Sequence, residues 1–580
     1  MKNCINIIEF ADSRPDTLDM APVVFTALQK CRQVENPVLT FPKGTYHFWP
    51  DKAFEQFYFV SNNDQGLKRI AFPLQGIQNM TIDGNDSEFI FHGRILPFVV
   101  DGACNITIQN VKIDYEHPFY SQGEIIDAGY EFIDLRISKE DYPYRIERGS
   151  IIFYRDTWES TAVFSFLEID PKTCAPAYKI GDEWIHNPGD ITAEEVREGI
   201  VRFRGTFTKL HGKGNLMVIS HEKRLNPGFF ITGSSEVTLK NIHIYHAGSM
   251  GVIGQLSHNI TLDGVKVLPR PGAGRLISAI SDGAHFVNCT GTVRVENCIF
   301  ENQKDDPLNV HGIYTLISRI YAPDTIEVEF IHYQQFGINI YAAGDRIAFV
   351  NRKSLLSYYS AAIKEVIPVN QKYIRLVLQE AIPDEAAVGD AIENPGRMPD
   401  LVVRNCCAGK NRARGFLITT PGKVLVEENT IYSAGAGILI TGDCNFWFES
   451  GPVKDVTIRK NRFVDCCYGP WGRAVIDINP KVGEVRGDME QYHRNIFVEN
   501  NHIRAFDPAI LAALSVEGLR FVDNTIQQTA TYEPYKGADV LLDVKNCEDV
   551  TIVRNTVIGF EGMKLVSGDV WLCENVSAEK

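Results

Sequence analysis

Three acidic residues stand out by type and spacing. Asp282 lies in Ser281-Asp282-Gly283, and Asp305 and Asp306 are adjacent in Lys304-Asp305-Asp306-Pro307. Carboxylates held close together cannot all ionise easily, so one keeps its proton while another gives it up. A proton donor and a proton acceptor of the same residue type are what hydrolysis of a glycosidic bond requires. Along a plain strand, neighbouring residues point to opposite faces, which would separate Asp305 from Asp306. Pro307 changes this. It biases Asp306 toward extended or polyproline geometry and marks a strand end or turn, where both side chains reach one cleft.

Something must then bring Asp282 alongside. The separation, 305 − 282 = 23 residues, equals a period found elsewhere in the chain. Short segments alternate apolar and polar residues and end on Asn, Asp or Gly. They include Met80-Thr-Ile-Asp-Gly, Val237-Thr-Leu-Lys-Asn, Ile260-Thr-Leu-Asp-Gly, Val293-Arg-Val-Glu-Asn, Leu401-Val-Val-Arg-Asn, Val424-Leu-Val-Glu-Glu-Asn, Ile496-Phe-Val-Glu-Asn and Leu519-Arg-Phe-Val-Asp-Asn. Starts at 237 and 260, 401 and 424, and 496 and 519 each differ by 23. Such a strand cannot bury its apolar face alone, but stacked copies build a continuous core. The Asn or Gly after each strand supplies a positive-φ corner, or alternatively stacks on its equivalents inside the coil. One lap of parallel coil would carry Asp282 to a position beside Asp305 and Asp306. A β-propeller would need about 40–45 residues per blade and hairpin signals that these segments lack.

Residues 12–48 read as a cap. Asp16–Cys31 has helical periodicity, with Leu18, Val23, Val24, Ala27, Leu28 and Cys31 on one stripe, and Phe41-Pro-Lys-Gly-Thr-Tyr-His-Phe follows. A helix leading into such a strand resembles the way right-handed parallel β-helices cover their first coil. Two stretches break the repeat. Residues 115–227 contain aromatic-rich strands (Ser150–Arg155, Thr161–Ile169) and an acidic patch, Thr192–Gly199, expected to be helical. Residues 313–399 hold close-set alternating strands, such as Thr325–Phe330 and Tyr373–Leu378. Both fit small antiparallel barrels inserted between coils. The expected fold is therefore all-β: a right-handed parallel β-helix with an N-terminal cap helix and two β-barrel-like inserts. Its divisions are 1–114 (cap and first coils), 115–227 (first insert), 228–312 (central coils with the acidic site), 313–399 (second insert) and 400–580 (C-terminal coils).

The composition is globular over 580 residues. A net charge of −15 argues against a nucleic-acid partner, since phosphate binding needs a basic surface. The 13 cysteines, including Cys406-Cys407 and Cys466-Cys467 inside repeat units, read as small core side chains; no CxxC metal pattern occurs. The N-terminus has no long apolar stretch, and no run of about 18 apolar residues occurs, so no membrane span is expected. The compartment is not legible; a periplasmic or secreted location follows only if a leader precedes this sequence. Homo-oligomerisation is equally open.

With Ser281-Asp-Gly283, Asn302-Gln-Lys-Asp-Asp-Pro-Leu-Asn-Val-His-Gly312 and barrel inserts on a β-helix, the chain resembles glycoside hydrolase family 110, the bacterial α-1,3-galactosidases. The resemblance implies exo-removal of terminal α-1,3-linked galactose, as on blood-group-B-type glycans, with inversion and without metal or other cofactor. It implies Asp282, Asp305 and Asp306 as the catalytic residues. Similarity to polygalacturonases, which combine a lone Asp with an Asp-Asp pair on a β-helix, would make Asp305 the acid and leave Asp282 and Asp306 to position water. A galacturonate substrate fits less well, because Ser281 precedes Asp282 and the polygalacturonase Arg-Ile-Lys substrate clamp is absent from its expected place. For a galactose unit, candidate polar contacts are Arg270, His285, Asn309 and His311, with Trp447 and Trp471 as a candidate aromatic platform. Two other activities share such an architecture: a Ca²⁺-dependent uronate lyase or epimerase, and a non-catalytic glycan-binding β-helix.

Overall fold

The computed structural model describes residues 3–11, 18–155, 157–160, 162–483, 490–566 and 574–578. The repeating segments stack as parallel strands. Val237–Lys240 pairs with Ile260–Asp263, which pairs with Val293–Glu296, then Leu401–Arg404, Val424–Glu427, Val456–Arg459, Ile496–Glu499 and Leu519–Val522. The stack continues upstream, Val237 pairing with Ile106, Ile106 with Met80, and Ile82 of that strand with Leu39. The inward residues of every lap, such as Leu239, Leu262, Val295, Val403, Val426, Ile458, Val498 and Phe521, are fully buried in one continuous core. Contiguous stacking is what makes each short strand stable.

Corners show both expected uses of asparagine, on neighbouring residues. Asn241, Asn297, Asn405 and Asn500 take left-handed φ of 52°, 58°, 52° and 55°. Asn429, Asn461, Asn501, Asn524 and Asn555 instead form an internal ladder. Each Nδ2 donates to the Oδ1 of the next, at 2.9, 3.0, 3.0 and 3.2 Å. Each of these Oδ1 atoms also accepts the backbone N–H of the Asn before it, at 2.9–3.0 Å. The remaining amide hydrogens of Asn461 and Asn501 reach Val426 O and Ile458 O, both at 2.9 Å. At the top of the ladder Asn429 receives the N–H of Cys406, and Cys406 and Cys298 continue the column as buried thiols. Among the described residues the cysteines are free.

The cap helix is Met20–Cys31, with the Asp19 carboxylate accepting the Ala21 N–H at its start; Asp16 lies outside the described residues. Met20, Val24, Ala27, Leu28 and Cys31 are its buried stripe, set on the core.

The first insert is an eight-stranded antiparallel sheet that includes Ser121–Ala128, Phe132–Arg136, Ser165–Asp170, Thr192–Arg197, Ile200–Arg204 and Leu216–Ser220. It has its own core of Ile125, Leu135, Phe166, Val201, Phe203 and Met217. The expected helix at Thr192–Gly199 is a strand: it pairs antiparallel with Ile200–Arg204, and Glu194 meets Arg204 across the pair. Glu-rich composition favours a helix only where tertiary pairing does not decide, and here the sheet edge decides. Of the first insert's expected strand Thr161–Ile169, Thr161 lies outside the described residues. The second insert closes into a barrel of Thr315–Ala322, Thr325–Glu329, Arg346–Val350, Ser357–Pro368, Tyr373–Leu378 and Ala391–Glu393. It leaves the coil directly after Leu308–Ile313, and the coil resumes at Asp400–Arg404. No described helix is long and apolar enough to cross a membrane.

A second column of short strands positions the acidic residues. Phe229–Thr232, Val252–Gln255, Ala284–Val287, Leu308–Val310, Phe416–Ile418 and Ile438–Ile440 stack in parallel. Just before these strands lie Gly228, Gly251, Gly283, Pro307, Gly415 and Gly437. A Cβ on Gly251 or Gly283 would lie 2.5 or 2.7 Å from the carbonyl oxygen of the next lap, and one on Gly415 would clash with Gly437 O in the same way. Glycine is needed here for close approach of successive laps.

Candidate active site

The position before that glycine column holds Asp282, Asp306 and Arg414 on three successive laps. Ala284 pairs with Leu308 and Leu308 with Phe416, and the Gly283 N–H donates to Asp306 O at 2.8 Å. The local period is 308 − 284 = 24, one more than the spacing read from the repeats. Asp282 therefore neighbours Asp306 in register, and Asp305, whose N–H donates to Ser281 O at 3.2 Å, lies one step back. The Asp-Asp pair occupies the turn ahead of a strand, and its two side chains take different arginine partners.

Asp306 is buried and gripped by Arg414, which donates its backbone N–H at 2.9 Å to Oδ1 and Nη2 at 2.8 Å to Oδ2. Burial nonetheless pushes the Asp306 carboxyl well up; Arg414 opposes the shift, while Asp305 and Asp282 add to it. Asp305 is the more open of the pair. Its Oδ2 receives Arg224 Nη2 at 2.8 Å, and Arg412 stands at 3.6 Å. Burial would raise Asp305, but Arg412, Arg224 and Arg414 outweigh it and hold this carboxyl low. Two adjacent aspartates are thus driven in opposite directions by what each faces.

All three open onto one cavity of about 760 Å³. The first insert supplies Ser165, Trp184 and Ser220, and the return from it supplies Glu222 and Arg224; the second insert supplies His332, Tyr333 and Gln334. Trp447 lines the wall with Arg224 over its ring at 5.6 Å, and Trp471 lines it beside Arg412 at 5.2 Å. Trp184 holds Arg412 from another side at 5.7 Å. Lys304 is buried beneath, donating to Ser165 Oγ at 3.2 Å and to Ser220 Oγ, and burial lowers it to about 8.

His285 and Asn309 also face the cavity. Asn309 Nδ2 reaches Glu449 Oε1 at 3.5 Å, and its buried carbonyl oxygen has no hydrogen-bond partner among the described residues, so it is available to a ligand hydroxyl. Two expected contacts lie elsewhere. Arg270 does not line the cavity: it pairs with Asp114 at 2.7 Å and Glu88 at 3.2 Å and lies over Tyr245. Although close to Asp282 in sequence, it sits in a loop, residues 268–283, that carries it toward the Asp114 lap. His311 is fully buried behind His285, with Nε2 to Nε2 at 2.8 Å, so it contacts the site only through another side chain.

Sequence reasoning missed Glu449, Arg224, Arg412 and Arg414. Glu449 is buried and pushed up to about 7, by burial first, against His285 and Arg414. Arg414 had a usable signal: Arg414-Gly415 precedes its strand as Asp282-Gly283 precedes Ala284. His285, His311 and Glu449 bring three donor atoms within 4.8 Å of one another. The two imidazoles, however, spend their facing nitrogens on each other at hydrogen-bond distance, and so read as a chain.

This geometry can be set beside known proteins. The Shewanella woodyi protein named alpha-1,3-galactosidase A is 34% identical over 97% of this chain and 92% of its own length. The chain belongs to the α-1,3-galactosidase family. Within this family, alpha-1,3-galactosidase B of Bacteroides thetaiotaomicron is 33% identical over 96% of this chain and 91% of its own length. Alpha-1,3-galactosidase A of Bacteroides fragilis NCTC 9343 is 33% identical over 92% and 89%. Family models agree with the architecture: GLAA-B beta-barrel domain I matches residues 121–217, GLAA-B beta-barrel domain II matches 325–392, and a right handed beta helix region matches 210–353. Among solved structures the Agl-KA catalytic domain aligns at TM-score 0.47 and 9% identity, over 100% of this chain and 68% of that one.

Proposed function

We propose that this chain is an exo-acting glycoside hydrolase that releases terminal α-1,3-linked galactose, from blood-group-B-type and linear glycans, by inversion and without a metal ion. The observation that carries the reading is the convergence of Asp282, Asp305 and Asp306 on one cavity rimmed by Trp184, Trp447 and Trp471. The α-1,3-galactosidase names of its relatives supply the bond and the sugar.

Register supports the division of roles. Asp282 and Asp306 stand on adjacent laps and hold a water between them, whereas Asp305 points to the arginine-lined side where the leaving sugar departs. Water oxygen attacks the anomeric carbon and yields a proton to the Asp282–Asp306 side. The glycosidic C–O bond breaks, its electrons stay on the leaving oxygen, and that oxygen takes a proton from Asp305. A second assignment has its own support. Asp306 is the carboxyl whose surroundings favour the protonated form, while Arg412 and Arg224 favour ionised Asp305, which would exchange the two roles.

NMR of the anomer first released from Galα1-3Gal tests the reaction. Initial β-galactose, lost in Asp305→Asn and Asp306→Asn, is expected; initial α-galactose means retention and overturns the roles, and EDTA should leave the rate unchanged. α-Galactosyl fluoride separates the two assignments, since fluoride leaves without a proton. The variant of the acid keeps turnover on it, and the variant of the base loses it.

A further inference from the structure

Asp282, His285 and His311 form a buried hydrogen-bonded chain whose hydrogens can be counted. His311 Nδ1 lies 2.7 Å from the carbonyl oxygen of Gly312, an atom that only accepts, so Nδ1 carries the hydrogen. Burial, with His285 second, keeps His311 neutral by holding it well below the usual histidine range, so its Nε2 is bare. That bare nitrogen faces His285 Nε2 at 2.8 Å, with Glu449 Oε1 farther off at 3.4 Å, so the shorter contact is the hydrogen bond and His285 Nε2 donates it. His285 Nδ1 and Asp282 Oδ2 then remain, 2.6 Å apart. A carboxylate oxygen and a bare imidazole nitrogen repel at that distance, so one hydrogen lies between them. His285 cannot escape by changing tautomer, because His311 is locked by Gly312.

We propose that His311 is a positioning residue which, by dictating the tautomer of His285, keeps one proton shared between His285 and Asp282, so that Asp282 orients water as the carboxylate of a net neutral pair. The free oxygen Oδ1, which accepts only a weak 3.1 Å bond from Ser281 Oγ, is the one left for water. Charge around the pair makes the shared proton useful. Asp306 and Asp305 from the next lap, Arg414 from the lap after and Glu449, paired opposite Ile313, all face it. Without the shared proton, Asp282 would set an uncompensated negative charge beside the buried Asp305–Asp306 pair. The inference rests on the glycoside-hydrolase reading of the same site.

The test is the pH profile of kcat/KM on Galα1-3Gal for the whole chain and for His311→Leu and His311→Gln. Leucine removes the acceptor for His285 Nε2–H, so the shared proton leaves more readily, and the alkaline limb should move down by about one pH unit or more. Glutamine offers an amide oxygen in its place and should return the limb toward the parent. A parallel readout is a strongly downfield imidazole N–H resonance in the parent, absent from His311→Leu and restored in His311→Gln. If the alkaline limb is the same in parent and His311→Leu, or the parent shows no such resonance, the proposal fails. If His311→Leu does not fold, the parent resonance and the His311→Gln profile decide it. A parent that hydrolyses no α-galactoside fails the earlier reading instead, and the resonance then judges the chain independently.

Discussion

Two columns run along this β-helix at corresponding positions of successive laps, and they treat polarity in opposite ways. The ladder Asn429–Asn461–Asn501–Asn524–Asn555 repeats one amide, and each member supplies what the next requires. The column Met250–Asp282–Asp306–Arg414–Ala436 never repeats a partner that can satisfy it. Two carboxylates are stacked in register, one is answered by an arginine a lap later, and hydrophobic residues close both ends. Identical neutral groups in a stack strengthen the scaffold; unlike charged groups in the same kind of stack leave affinity for something from outside. The reacting carboxylates thus come from a change of residue at one column over two laps, while the inserts supply the walls around them.

Changing the charged column should cost activity and little stability. Asp306→Asn keeps the volume and replaces a buried ionisable carboxyl by a neutral amide, so kcat should fall by about 10²–10⁴-fold while the melting temperature stays level or rises. Steady-state kinetics and calorimetry on one preparation check both halves. The reverse pattern is expected for Asn501→Ala, which strands the Asn461 backbone N–H and a hydrogen of its Nδ2, leaves Asn524 Oδ1 with one of its two donors, and should destabilise by about 2–4 kcal/mol in urea unfolding. The folded fraction should keep its kcat; a fall in kcat to match would show that the columns are not separable. Arg414→Lys tests the join between them. It keeps the charge but loses the pairing geometry on Asp306, and kcat/KM should drop about tenfold to a hundredfold, the worth of one charge-assisted bond. The smallest effect concerns Glu449, raised in the folded state from 4.5 to about 7 by burial, against His285 and Arg414. A carboxyl raised on folding contributes stability that is full below its unfolded value and is lost as pH climbs through the folded value. The parent's melting temperature should therefore decline between about pH 4.5 and 7, and Glu449→Gln should flatten part of that decline.

Much of this was legible in the order of residues. Period-2 alternation ending on Asn exposed the laps, because each lap must bury one face and turn a corner. Pro307 marked the turn that carries the acidic pair. What escaped depends on distances the repeat does not encode. The local period is 24 rather than 23 at Ala284–Leu308, and that single residue decides whether Asp282 meets Asp306 or Asp305. Arg224, Arg412 and Glu449 arrive from the ends of inserts and from later laps, between about 60 and 170 positions away in sequence, where no local pattern relates them to an aspartate. Arg270 shows the converse: it lies close to Asp282 along the chain, yet a loop carries it to Asp114. At Thr192–Arg197, Glu-rich composition pointed to a helix until an arginine-bearing neighbouring strand claimed it.

The glycines beneath the charged column have a further consequence. With Gly251 and Gly283 bare, the laps close to the hydrogen-bonding pitch of a sheet, about 4.7–4.9 Å, and that pitch is the interval between the backbones of Asp282 and Asp306. The protein thus gauges its reacting groups with a ruler made of peptide units. No side chain sets that gap, and a lone methyl group at Gly283 would be enough to mis-scale it.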